Sequence, residues 1–163
     1  MSSPQPSTPR SVPAAHVDAL RLDNQLCFAL YSASLAMTKT YKPLLDVLDL
    51  TYPQYLVMLV LWEHGTLAVS ELGALLYLDS GTLTPLLKRM EAAGLLQRAR
   101  SMQDERRVLV SLTPEGRKRK SRAAHIPACL LQATGGSLAE LVSLTQQVRQ
   151  LRERLAAAQL HAA

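Results

Sequence analysis

The chain has 163 residues, 48% of them hydrophobic, and a formal charge of +5 at neutral pH. That is enough apolar material for one domain, or two small lobes on one core, and no run of about 18 uncharged apolar residues offers a membrane span. Cys27 and Cys129 are too few for a disulfide framework or a four-cysteine zinc site, and the four histidines show no ligand spacing, so neither a metal nor another cofactor is expected.

Residues 1–16 hold four of the nine prolines among Ser, Thr and Gln and read as a disordered lead-in. They lack the basic-then-apolar order of a secretory signal, and the expected location is cytoplasmic. From about Val17 to Lys42, Leu22, Leu26, Ala29, Leu30, Ala33, Leu35 and Met37 recur largely at three- and four-residue spacing, predicting an amphipathic helix that Pro43 breaks or restarts. A turn through Leu44, Leu45 and Leu48 follows. Thr51 with Gln54 predicts a capping box for a helix over Pro53–His64 that stops at Gly65. Two shorter helices are predicted over Val69–Leu76 and Ser80–Ala93, the second capped by Asp79 or Ser80 and ended by Gly94. The period then changes, and Leu95–Ala99 with Val108–Leu112 predict a β-hairpin around a charged tip. Thr113, Pro114 and Glu115 supply cap, first-turn proline and first-turn acid for a further helix containing "RKRKSR". Gly135 and Gly136 interrupt it, and Ser137 with Glu140 starts the last helix. That helix carries Leu or Val at 141, 144, 148, 151 and 155, a seam that packs either on its own domain or on a second copy of the chain.

Charge is concentrated. Between Asp79 and Arg122 eleven Lys or Arg face five acids, an excess of +6 that is larger than the whole chain's, and such a region favours a polyanion partner, with a merely solvated face as the alternative that charge alone leaves open. A short helix, a turn, a capped second helix and then a hairpin make a winged helix-turn-helix, giving a mostly α fold with a small β-hairpin wing. In the second helix Leu83, Leu86, Leu87 and Met90 form one face. Thr82, Pro85 and Arg89, with Ser80, Gly81, Thr84 and Lys88, form the other. Small polar residues let that helix end approach double-stranded DNA, while Lys88 and Arg89 reach phosphates or guanine edges. At the hairpin tip Arg106 and Arg107 suit a narrow minor groove, with Asp104 placed to hold Arg106 in one direction.

These residues resemble the MarR-type transcription regulators. Asp104 and Arg106 followed by "VLVSLTPEG" match the family's wing and exit helix, and "VSELGALLYL" with "GTLTPLLKRMEAAGLL" match its helix-turn-helix. The resemblance implies a homodimer whose first and last helices, about 17–46 and 114–160, form the interface, a DNA-reading lobe over about 50–113, and a pseudo-palindromic operator. It places the whole of 17–163 in a single MarR-like domain.

Cys27, in "LCFALY", has two readings from the residues themselves. It is a small buried hydrophobe, or a reactive thiolate that needs a partner, since it lies too deep in its predicted helix for the N-terminal dipole to help. Tyr31, Tyr41 and Tyr52 are candidate hydrogen-bond donors to a thiolate, and equally ordinary core residues. "QLCFALYSAS", "YKPLLDVLDLTYPQYLVMLVLWE" and "LYLDSGTLTPLLKRME" resemble a narrower group, the organic hydroperoxide resistance regulators. That resemblance implies that Cys27 is the peroxide-reactive cysteine, that Tyr41 and Tyr52 hydrogen-bond it from the partner subunit, and that Tyr31 lies near the pocket. Cys129 falls where two-cysteine members carry a resolving cysteine.

The function implied is a repressor released from operator DNA by organic hydroperoxides. A repressor released by a small phenolic ligand uses the same fold without cysteine chemistry. A thiol peroxidase would leave DNA alone, which the basic wing argues against, and "RKRKSR" lacks the apolar face a membrane-surface helix needs.

Overall fold

Caps and breakers divide the chain into its elements. The computed structural model describes residues 20–161, so the lead-in expected over 1–16 and the helix start expected at Val17 lie outside the described residues. Among the described residues, seven α-helices and three strands follow in the order α1 (Leu26–Asp46), α2 (Tyr52–His64), β1 (Leu67–Ala68), α3 (Val69–Leu76), α4 (Ser80–Ala92), β2 (Leu96–Arg100), β3 (Val108–Leu112), α5 (Pro114–Ala123), α6 (Ile126–Thr134) and α7 (Leu138–His161). The strands form one antiparallel sheet in the order β1-β3-β2. The chain divides into two compact units between Ala36 and Met37.

In the first unit a 3-10 turn, Leu22–Asn24, precedes the start of α1 at Leu26. The continuous helix expected from Val17 is therefore corrected: α1 begins nine residues later, and Cys27 is its second residue. Leu22, Leu26, Phe28, Leu30, Tyr31 and Leu35 are exposed.

In the second unit the core gathers Leu45, Leu48, Met58, Leu61, Leu72, Leu83, Leu87, Met90, Leu96, Val110 and Ile126, each at most 1% exposed. The core corrects a second expectation, because Pro43 sits inside α1 without ending it. The ring removes one helical hydrogen bond and crowds the preceding turn, at about 3 kcal/mol. Burial of Leu45, two residues on, together with Leu48, is worth about 1.5–3 kcal/mol each and offsets that. Proline does end α5. The carbonyl four residues before Pro127 is that of Ala123, the last residue of α5, so the single exit helix expected up to Gly135 is split in two.

Local caps follow the sequence closely. The Thr51 amide donates to Gln54 Oε1 at 2.8 Å, and Ser137 and Glu140 cap reciprocally, through Ser137 N to Glu140 Oε2 at 2.7 Å and Glu140 N to Ser137 Oγ at 3.2 Å. Asp79 is the cap of α4, its Oδ1 accepting from Thr82 N at 2.9 Å. The turn between α3 and α4 is tight enough that a Cβ on Gly73 would lie 2.9 Å from the Leu78 carbonyl oxygen. Tyr77 in that turn takes a φ of 56°, and Arg152 of α7 stacks on its ring at 4.3 Å from the centroid. β1 has no forecast in the sequence. It is two residues long and owes its strand state to pairing with β3, Leu67 with Val110 and Ala68 with Leu109.

Candidate nucleic-acid interface and thiol site

Helix α4 turns Leu83, Leu86, Leu87 and Met90 into the core. Ser80, Gly81, Thr82, Pro85, Lys88 and Arg89 are left exposed and Thr84 half-buried. The Asp79 carboxylate caps this first turn, accepting from Thr82 N and Thr82 Oγ1, and the α4 dipole adds positive potential there. A groove of about 270 Å³ runs between this helix and the wing, lined by Ser70, Ser80, Thr84, Arg98, Arg106 and Arg107 among others. The fold thus brings Ser80 and Thr84 beside Arg106 and Arg107, which stand more than twenty positions away in sequence.

The wing tip is shaped by its own backbone. Ser101 N donates to Arg107 O at 2.8 Å, Arg107 N to Asp104 O at 2.9 Å, and Arg106 N to Asp104 Oδ1 at 3.0 Å. Asp104 therefore holds Arg106 by its amide and not by its guanidinium, a correction to the expected pairing: two residues of separation in a tight turn bring the carboxylate onto the N–H. Arg107 is also placed differently from the expectation for a minor-groove side chain. Its Nη2 donates to Glu71 Oε1 at 2.7 Å, and Glu71 Oε2 accepts from Ala68 N at 2.8 Å. Those bonds hold the Glu71 carboxyl below the usual carboxylate range, the Ala68 amide contributing most. Sequence reading missed Glu71 and Ser70. The capping position of Glu71, three residues after Ala68, is the signal that would have found it.

The basic run divides into two uses. Arg98 is paired with Glu91 at 2.6 Å, tying β2 to the end of α4. In "RKRKSR", Arg117 donates to Leu112 O, Arg119 to Leu48 O, Lys120 to Trp62 O and Arg122 to Val47 O. Those cations satisfy carbonyls at strand and helix ends, where the local dipoles are negative. Much of the excess charge counted toward a polyanion partner is therefore structural. Among the described residues Lys88, Arg89, Arg100 and Arg106 have no ion-pair partner.

Cys27 is exposed and Cys129 half-buried, and both are thiols. Starting α1 at Leu26 puts Cys27 in its first turn, at the positive end of the helix dipole. That corrects the expectation that Cys27 lies too deep to feel the dipole. Tyr31 is exposed one turn later. Tyr41 and Tyr52 come together, their ring centroids 4.9 Å apart, and Tyr41 also meets Tyr55 at 5.8 Å. Tyr55, buried and in turn packed edge-on to Trp62, is a member of this cluster that sequence reading did not single out. Burial, with Tyr52 and Tyr55 adding to it, pushes the Tyr41 phenol up to about 12, and burial raises Tyr52 as well. Both hydroxyls therefore keep their protons at neutral pH and remain donors. Beside Tyr52, a cleft of about 330 Å³ is lined by Thr38, Lys42, Leu45, Leu50 and Pro53. Cys129 lies in α6, its N–H donating to His125 O at 3.2 Å. No described helix is long and apolar enough to cross a membrane.

Residues 39–123 match the family model of the transcriptional regulator SarA/Rot. The organic hydroperoxide resistance transcriptional regulator of Bacillus subtilis (strain 168) is 54% identical over 138 residues, spanning 85% of this chain and 94% of that protein. Among solved structures, reduced AbfR bound to DNA is 34% identical with a TM-score of 0.74, covering 86% of this chain and 98% of that one. Disulfide-formed AbfR is 34% identical with a TM-score of 0.58, covering 85% and 92%; AbfR is a protein of Staphylococcus epidermidis. With an exposed, capped helix beside a basic wing and likenesses of this extent, the chain is a DNA-binding transcriptional regulator and belongs to the MarR-type winged-helix family, in its organic hydroperoxide resistance branch.

Proposed function

We propose that the chain is a homodimeric repressor that leaves its pseudo-palindromic operator when an organic hydroperoxide oxidises Cys27. The observation that carries the reading is the setting of Cys27, an exposed thiol in the first turn of α1 on a surface of apolar side chains that includes Leu26, Phe28, Leu30 and Tyr31. Similarity to a hydroperoxide resistance regulator, and to a protein solved both reduced on DNA and as a disulfide, supports it.

Surfaces a lone chain leaves wet support the dimer. Helix α7 exposes Leu138, Val142, Leu144, Val148 and Leu155, and α1 exposes its own apolar row. Apolar faces of that kind mark interfaces, and a second copy covers both. Two α4 helices then address half-sites about one DNA turn apart, with Ser80, Gly81, Thr82, Thr84 and Pro85 at the groove and Lys88, Arg89 and Arg106 on phosphate or base edges.

In the chemical step the Cys27 thiolate attacks one peroxide oxygen and the O–O bond breaks. The other oxygen leaves as alkoxide and takes a proton to become the alcohol, while Cys27 becomes a sulfenic acid. Tyr41 and Tyr52 of the partner subunit, protonated at neutral pH, donate hydrogen bonds that favour the thiolate. The Cys129 thiolate of the partner subunit then attacks the sulfenic sulfur, forming a disulfide and releasing hydroxide, which is protonated to water. A disulfide needs its Cα atoms within about 7 Å. Drawing the first turn of α1 and the α6 helix of the partner subunit to that distance re-spaces the α4 pair so that it no longer fits both half-sites.

The test is a gel-shift titration with cumene hydroperoxide, with and without reductant, on an operator selected from random DNA. Cys27→Ser is expected to bind it and ignore the peroxide, and Cys129→Ser to respond but fail to recover under mild thiol after a large peroxide excess. A Cys27→Ser protein that still dissociates on peroxide addition refutes the sensor. The 330 Å³ cleft beside Tyr52 favours one second reading, release by a small aromatic ligand. Tight aromatic-acid binding with oxidation-insensitive DNA affinity would select it.

A further inference from the structure

We infer that Glu71 is a positioning residue that competes with DNA phosphate for Arg107 and so lowers the protein's sequence-independent hold on DNA. The inference rests on the reading of the α4–wing groove as the DNA face. Arg107 lines that groove with Ser80, Thr84 and Arg106. Its guanidinium does not stand free there, because Glu71 Oε1 accepts from Nη2 at 2.7 Å across 36 positions of sequence.

The geometry leaves little freedom on either side of this pair. The β1–β3 register, Ala68 opposite Leu109, brings the first turn of α3 alongside the end of the wing loop. The Arg107 backbone is pinned at both N–H and carbonyl by the loop's own bonds. Glu71 is pinned by its second oxygen, which caps α3 through Ala68 N. One carboxylate thus fixes a helix start and neutralises a wing cation, while both side chains stay about half exposed and open to exchange with solvent ions. A phosphate entering the groove must displace the Glu71 carboxylate from Nη2 to gain Arg107. The pair therefore offers DNA one charge fewer than its arginine suggests. Arg106, a residue earlier, has no acid pairing its guanidinium among the described residues and contributes fully.

Glu71→Gln separates the two roles of the carboxylate, since a glutamine oxygen still caps α3 while the negative charge is gone. The probe is a random-sequence duplex of about 30 base pairs, so no operator need be known. Glu71→Gln is expected to bind it about three- to tenfold tighter than wild type at 50 mM salt, with an unchanged melting temperature. One more counterion released steepens the salt slope by about 0.9, so its affinity falls about 3.5-fold further than wild type's between 50 and 200 mM. In an Arg107→Ala background the Glu71→Gln gain is expected to fall by about half or more. Arg107→Ala alone, which leaves the cap intact, is expected to change the slope by much less than about 0.9, because Glu71 already holds that charge in the wild type. A Glu71→Gln protein no tighter on random duplex, with the wild-type slope, overturns the inference, as does an Arg107→Ala protein whose slope falls by the full amount of about 0.9, which would show Arg107 already engaged in the wild type. Wild-type protein that binds no duplex even at 50 mM overturns instead the DNA reading beneath it.

Discussion

Gly116 lies in the first turn of α5, beneath the strand that starts the wing, and replacing it with alanine should destabilise the fold although alanine is the better helix former. A Cβ at this position would lie 2.0 Å from the Leu95 carbonyl oxygen and 3.1 Å from Leu112 Cδ2. An ordinary carbon–oxygen contact needs about 3.3 Å, so over an ångström must be cleared against backbone. Moving either side breaks something. Leu95 O accepts from Thr113 N at 3.1 Å and from Thr113 Oγ1 at 3.1 Å, and Gly116 O accepts from Trp62 Nε1 at 3.0 Å. Overpacking costs about 1–3 kcal/mol and each lost hydrogen bond about 1 kcal/mol, against about 1 kcal/mol gained in helix propensity. The balance is about 2–4 kcal/mol, or roughly 4–16 °C in Tm for a chain of this size. The assay is thermal unfolding followed by circular dichroism at one fixed protein concentration, because a dimer's Tm depends on it. A Gly116→Ala protein melting at or above wild type would refute the reasoning, showing that the seam between α5 and the wing has room to relax.

Removing the Arg106 charge by Arg106→Ala should weaken DNA binding and reduce the salt slope by about 1, read by fluorescence anisotropy from 50 to 200 mM salt. Arg122→Ala, whose cation is held on Val47 O, should instead lower the Tm and leave the slope alone. The tyrosine cluster gives a pH prediction of definite sign. A phenol raised in the folded state from 10.0 to about 12 contributes stability that is complete below pH 10 and disappears as pH climbs toward 12. Absorbance titration at alkaline pH should show one phenol ionising last, and Tyr41→Phe should remove that step; an unchanged titration curve would mean that another tyrosine is the protected one.

The sequence by itself determined what depends on near neighbours. Asp79, Thr113 and the Ser137–Glu140 pair cap helices through partners three residues away, so the chain's local order suffices to read them, as it does the bounds of α3 and β3 and the two faces of α4. The resemblance named the family. Only the tertiary structure decided whatever turns on contacts between distant residues. Burial of Leu45 and Leu48 carries α1 through Pro43, and pairing with β3 makes a strand of Leu67 and Ala68. The carbonyls of Val47, Leu48 and Trp62 draw in cations that charge counting had assigned to a polyanion. Glu71 and Arg107, which no local pattern relates, meet because two strands align them. A periodic pattern records which face of a helix is apolar, whereas the use of a charge depends on what the folded chain sets opposite it, and that is settled only when the core closes.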